Sequence, residues 1–186
     1  MMRLLVGLSF LASFVLVRPD VLGAREGISK QPRPSIEADA ATWCALHQSK
    51  REYQRAISAC TEALRDHAGD AELHSNRGAA YLMLDELDQA IIDFNAALSI
   101  EPNNPIHYFN RGTAYTKKKD NSNAIADYSE AIRLAPRLAP AYNNRGHEFE
   151  IAGERDKAIA DYRTALQLAP ALKSIIERNL RRLGAE

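Results

Sequence analysis

A segment that recurs every 34 residues constrains the fold of this chain more than any other feature. The letters SNRGAAY at 75–81 return as FNRGTAY at 109–115 and as NNRGHEF at 143–149. A proline closes each of these copies, and a degenerate copy lies one period earlier. Repetition at this period is typical of arrays in which each unit is one supersecondary element that packs on its neighbours. The sequence therefore predicts four units, at residues 37–70, 71–104, 105–138 and 139–172.

Each unit is predicted to contain two amphipathic helices. In the second unit, Ala90, Phe94 and Leu98 recur at a spacing of four residues and share one helical face. The joint between the two helices of a unit spans only a few residues, so the helices must run antiparallel. In an antiparallel pair the facing positions have a constant sum, which predicts the contacts between the two helices.

Large and small residues are expected to alternate across this helix pair. When the residues of a unit are numbered from 1 to 34, the last three units have glycine at position 8, facing an aromatic residue at position 24. Position 11 is aromatic and faces alanine at position 20. This complementarity lets the helices approach closely. The glycine contacts predicted are Gly78 with Phe94, Gly112 with Tyr128, and Gly146 with Tyr162.

The pattern resembles the tetratricopeptide repeat over residues 37–172, through Gly, aromatic, Ala, aromatic, Ala and Pro at positions 8, 11, 20, 24, 27 and 32. The first unit departs most, since Cys44, His47, Cys60 and Ala68 replace four of these residues. The resemblance implies an all-α solenoid of about four antiparallel helix pairs, wound as a right-handed superhelix with the first helices lining a concave groove. Residues 173–186 are predicted to be a capping helix, because Ile175, Ile176, Leu180 and Leu183 form one apolar face.

The resemblance also implies a protein-interaction scaffold that binds a peptide or protein segment in the groove. Position 6 is Asn76, Asn110 and Asn144. Such asparagines resemble the ladders that hold extended peptides by their main chain, because an amide both donates and accepts. The alternative is a hydrogen bond at the helix surface or between units. The expected groove residues are Ser75, Asn76, Ala79, Leu82, Met83, Phe109, Asn110, Thr113, Thr116, Lys117, Asn143, Asn144, His147 and Glu150.

One partner class of the family is rejected on its residues. Repeats that grip the C-terminal carboxylates of chaperones present Lys or Arg at positions 2, 5 and 6 of neighbouring units. The corresponding residues here are Ala41, Ser75, Ile106, Phe109, Pro140 and Asn144. The sequence therefore predicts a partner that is not held by such a clamp.

An ion pair is expected inside each of the last three units. Position 7 is arginine and position 23 is aspartate in these units, and the two positions nearly face each other. In the first unit both residues change together. The predicted structural pairs are Arg77 with Asp93, Arg111 with Asp127, and Arg145 with Asp161.

The two cysteines of the chain fall at facing positions of the first unit. Cys44 is at position 8 and Cys60 at position 24, which predicts a disulfide in an oxidising compartment. The alternative is two buried thiols that fill the space of the missing aromatic residue. A zinc site is poorly supported, because two cysteines without a nearby histidine pair give too few ligands.

Residues 1–24 have the pattern of a secretory signal peptide. Arg3 precedes an apolar run at 4–17, and the small residues Gly23 and Ala24 follow it. The run is short for a membrane span, and an uncleaved anchor is the alternative. Residues 25–36 read as a flexible linker. We therefore expect export, with the periplasm as the compartment.

The chain shows no motif for catalysis, phosphate binding or metal binding. Its five histidines form no pair spaced by four residues, and its formal net charge is zero. A neutral chain without a basic run gives no electrostatic reason to expect nucleic acid as a partner. We expect no enzyme activity and no cofactor, and a role as an adaptor at the cell envelope. The alternatives are a structural protein that self-associates weakly through stacked ends and an accessory subunit of an envelope enzyme complex.

Overall fold

The computed structural model describes residues 50–185, which form an all-helical array. The predicted signal peptide of residues 1–24, the predicted linker of residues 25–36 and the start of the first unit, including Cys44, lie outside the described residues. The helices are α1 (Lys50–Asp66), α2 (Ala71–Met83), α3 (Leu87–Ile100), α4 (Pro105–Lys118), α5 (Asn121–Leu134), α6 (Ala139–Ile151), α7 (Arg155–Leu168) and α8 (Lys173–Arg182).

The helices pack in the order of the chain. Helices α2 with α3, α4 with α5, and α6 with α7 form the three antiparallel pairs, and each helix also contacts the next one along the chain. The first helices α2, α4 and α6 also touch one another from unit to unit. The inner face is defined here as the surface that these three helices present at positions 5, 6, 9, 12 and 13.

Side-chain caps determine where several helices begin. The Asp70 carboxylate accepts hydrogen bonds from the backbone N–H groups of Glu72 and Leu73 at the start of α2. Asn104 caps α4 in the same way, with Pro105 as the first helical residue. These side chains satisfy N–H groups that have no partner within the helix, so the second and third units begin at defined residues.

The joint inside each of the last three units has the same backbone conformation. Position 15 adopts the left-handed region, with φ of 64° at Asp85, 62° at Lys119 and 77° at Gly153. The next N–H then donates to the carbonyl five residues earlier, as from Glu154 to Phe149 at 2.8 Å. This arrangement ends the first helix and turns the chain back on itself within a few residues.

The predicted contact between position 8 and position 24 is confirmed. A Cβ atom added to Gly78 would lie 2.9 Å from Cε1 of Phe94, and one added to Gly112 would lie 3.0 Å from Cε1 of Tyr128. At Gly146 the ring of Tyr162 would be 3.1 Å away. All three rings are completely buried. The glycine backbone therefore forms the surface on which each ring packs.

The C-terminal helix covers the last pair. Pro170–Leu172 forms a 3-10 turn that leads into α8. Ile176 and Leu180 of α8 are buried in the apolar cluster around Tyr162, as the apolar face of this segment predicts. Helix α8 therefore closes the end of the array and leaves its charged residues toward solvent.

Substitution of Gly112 by alanine tests the close approach of the helices. The new methyl group would overlap the Tyr128 ring, so we expect Gly112→Ala to lower the free energy of unfolding by about 1–3 kcal/mol. Gly69→Ala is the matched control, because nothing lies within 4 Å of a Cβ at Gly69. Chemical denaturation measures both variants, and equal stabilities would contradict the proposed packing.

Candidate interaction surface

The expected groove residues divide into a buried set and an accessible set. The side chains of the buried set pack between helices and offer almost no surface to a ligand: Ser75, Ala79, Leu82, Phe109, Asn110 and Thr113. The accessible set is partly or fully exposed: Asn76, Met83, Thr116, Lys117, Asn143, Asn144, His147 and Glu150. The accessible part of the inner face is therefore narrower than the repeat positions alone imply.

Position 13 provides the most exposed side chains of the inner face. Met83 is 42% exposed and Ile151 is 57% exposed. Lys117 lies between them and donates to the Asp85 carboxylate at 3.0 Å. Ile151 was not among the residues expected in the groove, although its spacing of 34 from Lys117 was a signal for it. Two apolar side chains and one amine thus form an accessible row.

The asparagines of position 6 are not equivalent. Asn76 is partly exposed, whereas Asn110 is buried and its Oδ1 accepts no hydrogen bond from the described residues. Asn144 uses its Nδ2 to donate to the Tyr128 hydroxyl at 3.4 Å. Its Oδ1 accepts from Asn143 Nδ2 at 3.2 Å. Asn144 therefore makes a hydrogen bond between units, and the three amides do not form a uniform ladder.

A buried polar network links the third and fourth units. The Tyr128 hydroxyl lies 3.1 Å from Thr116 Oγ1 and 3.3 Å from Thr113 Oγ1. Burial raises the pKa of Tyr128 to about 12, so the phenol stays protonated near neutral pH. Thr116 in turn donates to Glu148 at 2.9 Å. The hydroxyl of one unit is thus connected to a carboxylate of the next.

The hydroxyl at position 24 has its partner at position 12 of the same unit. Tyr128 contacts Thr116, and the Tyr162 hydroxyl donates to Glu150 Oε2 at 2.9 Å. In the second unit both positions are apolar, Phe94 with Leu82. Sequence reasoning missed this pairing, although the change from apolar to polar occurs at both positions together and could have revealed it.

Glu150 is also bound by the capping helix. Arg182 donates to Glu150 Oε2 from Nη2 at 2.7 Å and to Oε1 from Nε. This hydrogen bonding lowers the pKa of Glu150, so the carboxylate stays charged. The inner face of the fourth unit therefore carries a carboxylate that is already neutralised by the chain itself.

Each arginine of position 7 binds two helices other than its own. Arg111 donates from Nε and Nη2 to the Asp127 carboxylate at 2.8 and 2.7 Å, and from Nη1 to Asn95 of the preceding unit at 2.6 Å. Hydrogen bonding to Asp127 raises the pKa of Arg111. The same geometry joins Arg77 to Asp93 and Thr61, and Arg145 to Asp161 and Ser129. The residue at position 25 was not anticipated, although it is small and polar in the first three units, as Thr61, Asn95 and Ser129.

His107 joins the second and third units. Its Nδ1 lies 3.1 Å from Ser75 Oγ, and its Nε2 lies 3.1 Å from Glu101 Oε2. Burial lowers the pKa of His107, and the effect of burial exceeds the opposing effect of Glu101. The ring therefore favours its neutral form and acts as a hydrogen-bonding link between units.

The described residues offer little for metal or membrane chemistry. Cys60 is completely buried on α1, and its pairing with Cys44 stays a prediction because Cys44 lies outside the described residues. Within residues 50–185 no group of His, Cys, Asp and Glu side chains is arranged to hold a metal ion. No helix in this range is both long and apolar enough to cross a membrane.

The helix pairs and their spacing define the family. The sequence model of the tetratricopeptide repeat matches residues 71–104, 105–138 and 139–172, which together make up more than half of the chain. The chain belongs to the tetratricopeptide repeat family. The matched ranges coincide with the last three units of the 34-residue period.

Solved structures of other tetratricopeptide repeat proteins are similar to this one. A crystal structure of MamA is 22% identical over 73% of this chain and 74% of its own, with a TM-score of 0.65. The thermophilic TPR protein TTC0263 of Thermus thermophilus is 23% identical over 81% and 82%, with a TM-score of 0.64. The first TPR of Spaghetti (RPAP3), solved with the HSP90 peptide SRMEEVD, is 26% identical over 61% and 90%, with a TM-score of 0.59. No curated protein sequence matches the chain significantly.

Removal of Asp127 tests the arginine contacts that join the tetratricopeptide repeat units. Asp127→Ala leaves the partly buried Arg111 without its carboxylate, so we expect a loss of about 2–3 kcal/mol in the free energy of unfolding. Asp88→Ala is the matched control, because Asp88 is 73% exposed and its pair with Lys118 is a surface salt bridge. Thermal denaturation compares the two, and an unchanged melting temperature for Asp127→Ala would show that the pair adds nothing.

Proposed function

We propose that this protein is a scaffold that binds a segment of another protein on the inner face of α2, α4 and α6. The observation that carries the proposal is the accessible row of Met83, Lys117 and Ile151, with the partly exposed amide of Asn76 two turns before Met83 on α2. Apolar side chains supply contact area, and an exposed amide suits the main chain of an extended or helical segment. A related tetratricopeptide repeat domain has been solved with a bound peptide, which supports this mode. We expect an affinity on the order of micromolar.

The proposed partner differs in chemistry from the acidic HSP90 peptide SRMEEVD. The positions that would hold a terminal carboxylate are occupied here by Ser75, Phe109 and Asn144, among others, and none of these is basic. Phe109 is moreover buried. We therefore propose that the segment is held along its length, and that no C-terminal carboxylate is required.

Scaffolding alone is the proposed activity. Proteins of this family typically act as non-enzymatic scaffolds, and the polar groups of the inner face bind one another across units. Weak self-association and service as an accessory subunit of an enzyme complex are the competing roles. They differ in the partner, which is a second copy in the first case and a constant catalytic protein in the second.

Export of the mature chain is a second part of the proposal. It rests on the basic, apolar and small-residue order of residues 1–24. A disulfide between Cys44 and Cys60 fits an oxidising compartment such as the periplasm. Cys60 itself is completely buried on α1.

Site-specific crosslinking tests which face binds the partner. A photoreactive residue in place of Met83 or of Ile151 is expected to capture the partner in cells, because both side chains are exposed on the inner face. Ile92 provides the control, since it is 66% exposed on the second helix of its unit. Mass spectrometry of the adducts identifies the captured chain.

Each crosslinking outcome decides between the roles. One recurrent foreign protein at the two inner positions, absent at Ile92, supports the scaffold. Adducts of two copies of this chain favour self-association, and adducts formed mainly at Ile92 would place the binding surface on the outer helices and contradict the proposal.

The mass of the mature protein tests export and the disulfide together. We expect the exported form to begin after Ala24 and to take up no alkylating reagent at Cys44 or Cys60 until it is reduced. Intact mass spectrometry before and after reduction measures both. An intact residue 1–24 segment would refute cleavage, and two thiols that react without reduction after denaturation would refute the bridge.

A further inference from the structure

Glu148 is an exception to the regular pattern of the array. It occupies position 10, where the two preceding units have Ala80 and Ala114. Its side chain is nevertheless only 1% exposed. A buried carboxylate is unfavourable unless a cation or several donors compensate its charge. Because alanine satisfies the packing at this position twice, the packing of the array does not require a carboxylate there.

The described residues give Glu148 no permanently charged partner. Thr116, a neutral donor, lies 2.9 Å away. His147 Nδ1 is 3.5 Å from Glu148 Oε1, and this ring carries a charge only when it is protonated. In residues 50–185 no lysine or arginine nitrogen lies within the 4.0 Å of a salt bridge to this carboxylate. The negative charge of Glu148 is thus left for a group from outside.

The two asparagines of α6 use their amide N–H groups as donors within the chain, whereas one of their oxygen atoms accepts no hydrogen bond from the described residues. Asn143 donates from Nδ2 to Asn144, and Asn144 donates from Nδ2 to the Tyr128 hydroxyl. Asn143 Oδ1 is buried and receives no hydrogen bond from any described residue. Asn144 and Glu148 lie one turn apart on α6, as do Asn143 and His147. A group that pairs with the Glu148 carboxylate must therefore donate hydrogen bonds and carry positive charge.

The chain itself shows such a group one unit further on. Position 12 of one unit meets position 10 of the next, as in the contact of Thr116 with Glu148. At the next contact along the array, position 12 of the fourth unit is Glu150, and the residue equivalent to position 10 is Arg182 of the capping helix. Arg182 binds Glu150 with two nitrogens. A guanidinium therefore already pairs with a carboxylate on this part of the inner face.

We propose that Glu148 forms a subsite for a lysine or arginine side chain of the bound segment. This inference rests on the proposed scaffold function and assigns a basic residue to its partner. His147, whose side chain is 29% exposed, lies 3.5 Å from Glu148 Oε1 through its Nδ1. Binding of the cation requires this ring to move aside, and the incoming group then forms a charge-assisted pair with Glu148.

A pair of short peptides tests the subsite directly. The probe is a five-residue, acetylated and amidated peptide with a central arginine between alanines, and its control has citrulline, which is nearly the same shape but neutral. Nuclear magnetic resonance titration of the whole mature protein follows the amides of Asn143, Glu148 and Thr116. We expect saturable shifts with the arginine peptide at a Kd on the order of millimolar. The citrulline peptide should bind at least about tenfold more weakly.

Two substitutions separate binding from folding. Glu148→Ala restores the alanine of the other units, so we expect an unchanged or higher melting temperature and loss of the arginine-dependent shifts. Glu148→Gln keeps an acceptor for Thr116 and removes the charge, and should also abolish the preference for arginine over citrulline. Glu154→Ala is the control, since it removes a more exposed charge near the same end of the array.

Several results would overturn the subsite. They are equal binding of the two peptides, arginine-dependent shifts that survive in Glu148→Gln, and a marked fall in the melting temperature of Glu148→Ala. None of them depends on the crosslinking at Met83 and Ile151, so the scaffold function would be decided separately.

Discussion

The contact between an aromatic ring and a glycine backbone sets the distance between the two helices of each unit, and other interactions depend on it. Tyr128 lies where a side chain on Gly112 would otherwise stand. The neighbouring residue Arg111 therefore reaches Asp127, the residue before the ring, with two hydrogen bonds shorter than 3 Å. A wider helix pair would separate these groups and leave two partly buried charges unpaired. Packing and electrostatics in a unit thus share one geometric requirement.

Arg111 also connects neighbouring units of the array. Each unit of a repeat array contacts only its neighbours, so its stability depends on the interface terms between them. Arg111 uses its third nitrogen to bind Asn95 of the preceding unit. One guanidinium therefore joins three helices, which its planar set of donors permits and a lysine ammonium would not reproduce with the same geometry. The coupling between units is built from the pair that stabilises each unit alone.

Periodicity was sufficient to anticipate the helix pairs, because facing residues in an antiparallel pair follow from the length of the joint alone. It placed Gly112 below Tyr128 and Arg111 opposite Asp127. It did not anticipate the burial of Phe109 and Asn110, because their exposure depends on how closely successive units approach. The partners of the Tyr128 hydroxyl were missed for the same reason. Only the joint change from Phe94 and Leu82 to Tyr128 and Thr116 carried that information in the sequence.

The repeat positions that stabilise the helix pairs differ from the positions whose residues vary between units. Positions 7, 8, 23 and 24 repeat nearly unchanged in the last three units. The contact from position 12 to position 10 instead changes along the array, from an apolar one at Leu82 and Ala114 to a hydrogen bond at Thr116 and an ion pair at Glu150. Because the apolar contact between Leu82 and Ala114 is also buried, the helix packing does not require polar residues at positions 12 and 10. Departures from the repeat are therefore the places where a scaffold acquires chemistry of its own, and the buried carboxylate of Glu148, at a position that is alanine in the two preceding units, is such a departure.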